Sequence, residues 1–409
     1  MIEFAHKLFP IHRHLTGDGV RTTLKLIKER LPGLATHSIL SGTEVFDWNI
    51  PKEWKIKGAR LTAPNGEVVV DFQRDGNLSV MQYSIPINSY VDLEDLKPHL
   101  FSCDNFSNAR PYVTSYYKRN WGFCIPKSTK LPSGTYKVYI DSELFDGQLD
   151  YGILDLPGKT DKTILFTTNI CHPSLAINEV SGMVVNTYLA EYVKTLDRYY
   201  SYKFLFVPET IGTLAFLYQS DLKTLQDSVV AGFALYCVSD TPKFMSNKNQ
   251  LFGIKDAIEL EYPMYEMMPH SDDRQYASPN IAMPVVGLSS ITPGGYQEYH
   301  TSFDNMDLLD EIGLQNSLKF FKELVFTVEQ MDRYPTLKTI GEPFLSKYGL
   351  YNETSTPAAF DTFIKNILTI MPFCDGIYSI PDISTATKIN VATVTDIINK
   401  MEAKGLVIC

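Results

Sequence analysis

The chain has 409 residues, 44% hydrophobic and 21% charged, with a formal net charge of −10. Its length exceeds the ~250–300 residues at which a single core stops growing, so two or three domains are expected, and an acidic chain is a poor general binder of nucleic acid or of an anionic membrane surface. No apolar run reaches the ~18 residues of a membrane span, and six scattered cysteines (Cys103, Cys124, Cys171, Cys237, Cys374, Cys409) without a C-x-x-C pair argue against a disulfide framework or a cysteine zinc knuckle.

Residues 1 to about 40 read as helical. Phe4, Leu8, Phe9 and Ile11 recur at helical spacing, Thr16-Gly17-Asp18-Gly19 interrupts, and 20–31 continue amphipathically to Pro32-Gly33. His12 and His14 lie two apart on this stretch, so on a helix they face different sides and make no metal site. From 44 to 140 short β runs take over (55–57, 59–61, 68–70, 78–80, 136–140), separated by Pro64-Asn65-Gly66 and Asp75-Gly76-Asn77. This block reads as a small β-rich insert. From 147 to 331 strand-like runs alternate with amphipathic helices at 186–196 and 317–331, the pattern of an α/β sheet. The tail predicts helices over 360–371, 382–388 and 391–404 and a short strand over 405–408, the order of a winged helix. It carries few lysines or arginines, so packing or oligomerisation is expected ahead of DNA binding.

Chemistry gathers at strand ends. The run Thr163-Ile164-Leu165-Phe166 leads through Asn169-Ile170-Cys171 to His172; 203–207 end in Pro208-Glu209-Thr210-Ile211-Gly212; 230–238 end in Ser239-Asp240; and 284–288 precede Tyr296 to Asp304, which contains His300. In an open, mostly parallel sheet, ligands bind outside the carboxyl ends of the strands. His172, Glu209, Asp240 and His300 are therefore expected to share one cleft. Imidazole nitrogen and carboxylate oxygen are the donors zinc takes in catalytic sites. His37 and His99 lack such surroundings and read as structural.

Leu175-Ala176-x-Asn178-Glu179-x-Ser181-Gly182 after a strand-end histidine, Pro208-Glu209-Thr210-x-Gly212, and Tyr299-His300-Thr301-Ser302-x-Asp304 together resemble the co-catalytic zinc aminopeptidases. With Leu8-Phe9-Pro10 and Thr16-Gly17-Asp18-Gly19-Val20-Arg21, essentially the whole chain resembles a bacterial branch labelled polysaccharide-biosynthesis proteins with an aminopeptidase-like domain. The resemblance implies an α/β fold: a zinc-exopeptidase-like mixed sheet flanked by helices over 1–40 and 141–335, an inserted β-rich domain over 41–140 and a winged-helix-like domain over 336–409. It makes His172 and His300 metal ligands, Asp240 the remaining carboxylate ligand and Glu209 the general base. Two-metal relatives carry a bridging aspartate where this chain has Asn178, and consecutive glutamates where it has Glu209-Thr210. Two zinc ions ~3.5–4 Å apart repel, and a neutral amide offsets that repulsion poorly. One zinc at most is implied, with Asn178 a weak ligand and Glu209 either base or ligand.

The expected activity is hydrolysis of an amide next to a free amine in a peptide or amino-sugar-like small substrate. Deacylation, acyl transfer or cyclisation at an amide in surface-glycan biosynthesis is the alternative, as is a binding protein with a decayed metal site. In 270–276, Asp272 is a candidate for a substrate ammonium and Arg274 for a carboxylate, against an exposed polar turn; Tyr299 or the Gly294-Gly295 backbone would polarise a carbonyl. Arg13 and Arg21 read as solvated or domain-bridging. Neither a nucleic-acid nor a membrane partner is expected, and self-association is. Met1-Ile2-Glu3-Phe4-Ala5-His6-Lys7 lacks the basic start and long apolar run of a signal peptide, so a cytoplasmic location is expected.

Overall fold

The computed structural model of the chain describes residues 1–245, 271–291, 294–351 and 362–409. They fall into two compact units that divide in sequence between Phe320 and Phe321.

The larger unit is built on a seven-stranded sheet. Its strands are β1 (Ala35–Leu40), β2 (Gln148–Leu156), β3 (Thr163–Asn169), β4 (Ser201–Val207), β5 (Val229–Leu235), β6 (Lys243–Met245) and β7 (Val285–Ser289), in the spatial order β1-β2-β4-β3-β5-β7-β6. β4, β3, β5 and β7 run parallel, while β1, β2 and β6 pair antiparallel towards the two edges. Every residue of β3 is buried, as a central strand covered on both faces requires. Phe166 on β3 sits between Phe204 and Phe233 of its neighbours, with ring centroids 5.3 and 5.2 Å away. Each such pair adds ~0.5–1.5 kcal/mol beyond area burial. The sheet thereby holds β3, β4 and β5 in fixed register, and the loops after Asn169, Val207 and Leu235 leave from the same end.

Two local readings give way to tertiary pairing. The helices near the amino terminus are Ile2–Leu8 and Asp18–Arg30, and after Pro32-Gly33 the chain becomes the edge strand β1, paired to β2 over six residues. Because the first helix stops at Leu8, His12 and His14 belong to no helix; their rings meet at 4.2 Å and pack on Trp54.

The insert is a four-stranded antiparallel sheet in the order Val68–Asp71, Glu53–Thr62, Thr135–Phe145, Ile87–Asp92. The runs at 55–57 and 59–61 are one strand with an irregularity between Ile56 and Gly58, and 78–80 form a 3₁₀ turn, Asn77–Ser79, instead of a strand. The strand Thr135–Phe145 continues past 140, so the insert's sheet extends beyond the boundary expected from pattern alone. Leu61, Val70, Phe123, Tyr136 and Val138 form its own core. Arg21 bridges it to the main sheet, donating to Glu53 at 3.2 Å and to Asp150 of β2 at 3.1 Å.

The second unit has helices Thr362–Ile370, Ile380–Thr387 and Val391–Ala403, with Thr336–Leu337 paired antiparallel to Val407–Ile408. Ile367, Ile370, Ile383, Val394, Ile398 and Leu406 fill its core, and Ser379 with Asp382 forms a capping box. The expected helix start at Phe360 lies outside the described residues. No helix among the described residues is long and apolar enough to cross a membrane.

Candidate metal centre

The loop after β3 delivers His172 into the interior, only 3% exposed. Its Nδ1 is in short contact with Glu179 Oε1, which leaves Nε2 facing Glu209 Oε2 at 3.6 Å. Two ligand atoms on one tetrahedral zinc, each at ~2.0–2.1 Å, lie ~3.3–3.4 Å apart. The His172–Glu209 spacing is thus that of a pair able to share one ion.

Glu209 follows β4, and its presentation is built with strain. Thr210 has φ +58° and ψ −70°, and Ile211 N–H donates to Glu209 O at 2.6 Å. This is a γ-turn of the rare left-handed kind, costly for a β-branched residue. Two contacts hold it. Asp272 Oδ1 accepts Thr210 N–H at 2.6 Å while its other oxygen takes the Thr213 hydroxyl, and the Ser271 hydroxyl donates to Glu209 Oε1 at 3.0 Å. Burial, then the charge of Glu209, pushes Asp272 up to about 8.

His300 is held from the other side. Its φ is +55°, its carbonyl accepts Tyr112 N–H at 2.7 Å, and the flanking residues pair with the insert through Pro111–Thr301 and through Ser302 Oγ, which accepts Arg110 N–H at 3.0 Å. Tyr299 stacks on its ring at 3.9 Å. The Tyr112 ring lies 4.6 Å from His172 and 5.2 Å from His300, whose own centroids are 5.1 Å apart. His300 Nε2 is buried and has no hydrogen-bond partner among the described residues. Burial, and secondarily the neighbouring His172, lowers His300 to about 3, so it is neutral near pH 7, the form that binds a metal.

Asn178 lies on the third side. Asp304 accepts the backbone N–H groups of Ile177 at 2.7 Å and Asn178 at 3.1 Å, together with the Tyr296 hydroxyl at 2.8 Å. This clamps the loop of His300 to the turn that carries Asn178. The Asn178 amide donates weakly to Cys237 Sγ at 3.9 Å, and its Oδ1 is buried without a hydrogen-bond partner among the described residues.

Cys171, His172 and Glu179 place ligand-type atoms within 4.8 Å of one another. Chemistry argues against a metal at that point. Nδ1 of His172 is already engaged by Glu179, so its lone pair is not free for an ion there. On the opposite side of the ring His172 Nε2 and Glu209 Oε2 form a pair at 3.6 Å, and the His300 ring centroid lies 5.1 Å from that of His172; among the described residues these three do not bring their ligand atoms as close together as Cys171, His172 and Glu179 do.

The structure therefore brings His172, Glu209, Asn178, His300 and Tyr299 to one locality and leaves others out. Asp240 sits on an exposed turn, and its Oδ1 accepts Thr241 N–H at 2.7 Å and the Asn316 amide at 3.0 Å. β5 ends at Leu235, so the residue its end brings to the site is Cys237, and Asp240 is three residues too late. Asp272 is fully buried with both oxygens engaged, which makes it a support of Thr210 instead of an ammonium receptor. Arg274 is exposed and donates from Nε to Ser271 O at 3.0 Å, the exposed-turn alternative. Gly294 is exposed with φ +73°; residues 292–293 and His270 lie outside the described residues. Sequence reasoning gave no role to Glu179, Asp304 or Tyr112, and it read Arg13 as solvated or domain-bridging, whereas the fold buries that side chain fully. A lone carboxylate in the apolar run Leu175 to Val180 was the available signal for Glu179; nothing local marks Tyr112, which arrives from the insert.

Comparisons with known proteins agree with this architecture. A family model described as a domain of unknown function, DUF4910, matches residues 2–331, and a winged helix-turn-helix model matches 332–409. A Clostridium acetobutylicum relative, named for polysaccharide biosynthesis and an aminopeptidase-like domain, is 37% identical over 393 residues, 92% of this chain and 89% of the relative. A crystal structure of a Clostridium acetobutylicum protein with a provisional peptidase name matches at TM-score 0.90 and 34% identity, over 100% of this chain and 95% of that one. A zinc aminopeptidase from Bacillus subtilis matches at TM-score 0.57 and 10% identity, over 80% and 95%, a likeness of fold.

Proposed function

This chain belongs to the DUF4910 family, and on that premise we propose that its larger unit is a one-metal, aminopeptidase-like amidohydrolase that cleaves an amide beside a free amine. The observation that carries the reading is the approach of His172 Nε2 to Glu209 Oε2 at 3.6 Å, with the His300 ring centroid 5.1 Å from that of His172 and its Nε2 without a hydrogen-bond partner among the described residues. Two imidazoles and one carboxylate are a donor set that catalytic zinc sites use, with a further position left for water or substrate. With Asp240 on its exposed turn, Glu209 is needed as third ligand, which moves it from base towards metal holder. Zinc, when bound there, supplies Lewis acidity to a carbonyl oxygen and lowers the pKa of a water. Ser271 fixes the second oxygen of Glu209, which remains able to accept a proton or return it to a leaving amine. Burial keeps the Tyr299 phenol protonated, a donor for the carbonyl oxygen of a bound amide. Asn178 offers a second ion only a neutral oxygen.

Small peptides are the first substrates to assay, in keeping with the fold. Amides on amino sugars are the second, because the 37%-identical relative is named for polysaccharide biosynthesis. The test is elemental analysis of chelator-free protein. About one zinc per chain is expected, lost in His172→Ala and Glu209→Gln and raised towards two in Asn178→Asp. Zinc retained in Glu209→Gln with activity lost would return Glu209 to the role of base. A native chain that takes up no zinc even when it is supplied would leave a binding protein on an aminopeptidase fold.

A further inference from the structure

We infer that Glu179 is a positioning residue of the metal site, with Arg13 as its buried counter-charge. For its metal the inference rests on the one-zinc reading above; for its geometry it rests on side chains in place.

Glu179 is the one charged residue in the run Leu175-Ala176-Ile177-Asn178-Glu179-Val180 and is 1% exposed. Taking a carboxylate out of water costs several kcal/mol even after relaxation, so its position needs partners. Oε1 has His172 Nδ1; Oε2 is buried with no hydrogen-bond partner among the described residues. Arg13 is fully buried as well and feels the charge of Glu179 without forming an ion pair with it. Its Nη1 donates to Leu8 O at 2.5 Å, while Nε and Nη2 have no partner among the described residues. The helix Ile2–Leu8 packs against Ala176–Val180, and the chain between is stitched to the loop after His172: Asn77 Nδ2 donates to Pro10 O at 3.2 Å and to Ser174 Oγ at 2.8 Å, and Ser174 Oγ reaches Phe9 O at 3.3 Å. Burial lowers the Arg13 guanidinium to about 10, with Glu179 and then Cys171 opposing the fall; it stays charged near neutral pH.

A buried carboxylate thus stands behind His172. It accepts the Nδ1–H hydrogen bond, fixes the ring's orientation and turns Nε2 towards Glu209, which is how a carboxylate behind a ligating histidine tunes a metal site. The placement also makes sense of Asn178. The negative charge that a two-metal site keeps between its ions stands here one residue later, behind a single histidine, where it strengthens one ligand and bridges nothing.

The experiment uses the full chain: competition titration with zinc against a chromophoric chelator, and nitrogen-15 histidine spectra of the metal-free protein, for native, Glu179→Gln, Arg13→Met and the double variant. Glu179→Gln is expected to weaken zinc binding ~10–100-fold, the usual effect of losing such a partner. It should also replace the single Nδ1–H tautomer of His172 with a mixture. Arg13→Met should weaken zinc only while Glu179 is present, adding nothing in the double variant, since the two act as one unit. Should Glu179→Gln fail to fold, Glu179→Asp keeps the charge, shortens the reach and is expected to weaken zinc in the same direction. Native-like zinc affinity in Glu179→Gln, with zinc still lost in His172→Ala, overturns the inference and leaves the one-zinc reading standing. If the native chain binds no zinc, the one-zinc reading fails by itself, and the tautomer spectra decide the positioning role: a His172 tautomer unchanged in Glu179→Gln overturns it.

Discussion

The two histidines of the site are held by different parts of the molecule. His172 comes off a fully buried central strand and is fixed through its side chain, Nδ1 on Glu179 within an interior that also holds Cys171 and Arg13. His300 comes from a loop and is fixed through its backbone, by Tyr112 N–H and the Pro111–Thr301 bridge supplied by the insert, while its ring nitrogen stays unpartnered. One half is thus built by the core and the other by a neighbouring sheet. The same residue type should then respond very differently to mutation in the two places.

The largest contrast is expected between His172→Ala and His300→Ala in metal-free protein. Removing His172 takes the hydrogen-bond partner from the buried Glu179 carboxylate, which costs ~1–3 kcal/mol or more. Removing His300 deletes a ring whose Nε2 bonds to nothing described, and about 1 kcal/mol or less is expected. Urea unfolding measures both. Equal losses would break the comparison.

A pH series sharpens the β4 side. Asp272 titrates near 8 in the folded chain, above the ~3.9 of an unfolded aspartate. Its folded pKa is raised, so its contribution to stability is fully present below ~4 and is lost as pH rises towards about 8, with a slope of at most ~1.4 kcal/mol per pH unit. Melting temperatures of metal-free protein from acid to mildly alkaline pH should fall across this window, and Asp272→Asn should flatten the curve. An unchanged slope in the variant would assign the decline to another group.

Tyr112→Ala tests the insert's grip. Losing a partly buried ring that touches both histidines should cost ~1–3 kcal/mol and weaken zinc binding, whereas Tyr112→Phe keeps the ring contacts and should leave both near native. A variant with native zinc affinity would mean that the insert only covers the site. The smallest effect belongs to Thr210→Gly. Glycine relieves the positive φ, so a gain of about 1 kcal/mol in unfolding free energy is expected, accompanied by weaker zinc binding as Glu209 loosens. A loss of stability would show that the turn is not strained.

Much of this was legible along the chain. β3, β4, β5 and β7 stood out as apolar runs because a central strand is hydrophobic whichever face it shows, and His172 and Glu209 stood just beyond two of those runs, with His300 farther on in the loop after β7. Asp240 misled because a strand's end is set by pairing: β5 stops at Leu235, where its pairing with β3 and β7 ends. β1 read as helix because its burial shows almost no alternation, and only its hydrogen bonds to β2 make it a strand. Asp272 read as a ligand-binding carboxylate because nothing local says that Thr210 N–H and the Thr213 hydroxyl will take both its oxygens.

The sequence by itself determined the fold class and the placement of His172 and Glu209 just past strand ends, because each follows from residue type and short-range spacing. Tertiary structure alone decided which carboxylates face the histidines. Glu179 meets His172 from behind, and Tyr112 reaches both rings from the insert, because residues far apart in the chain become neighbours only when the core closes, and a buried charge takes its meaning from those neighbours.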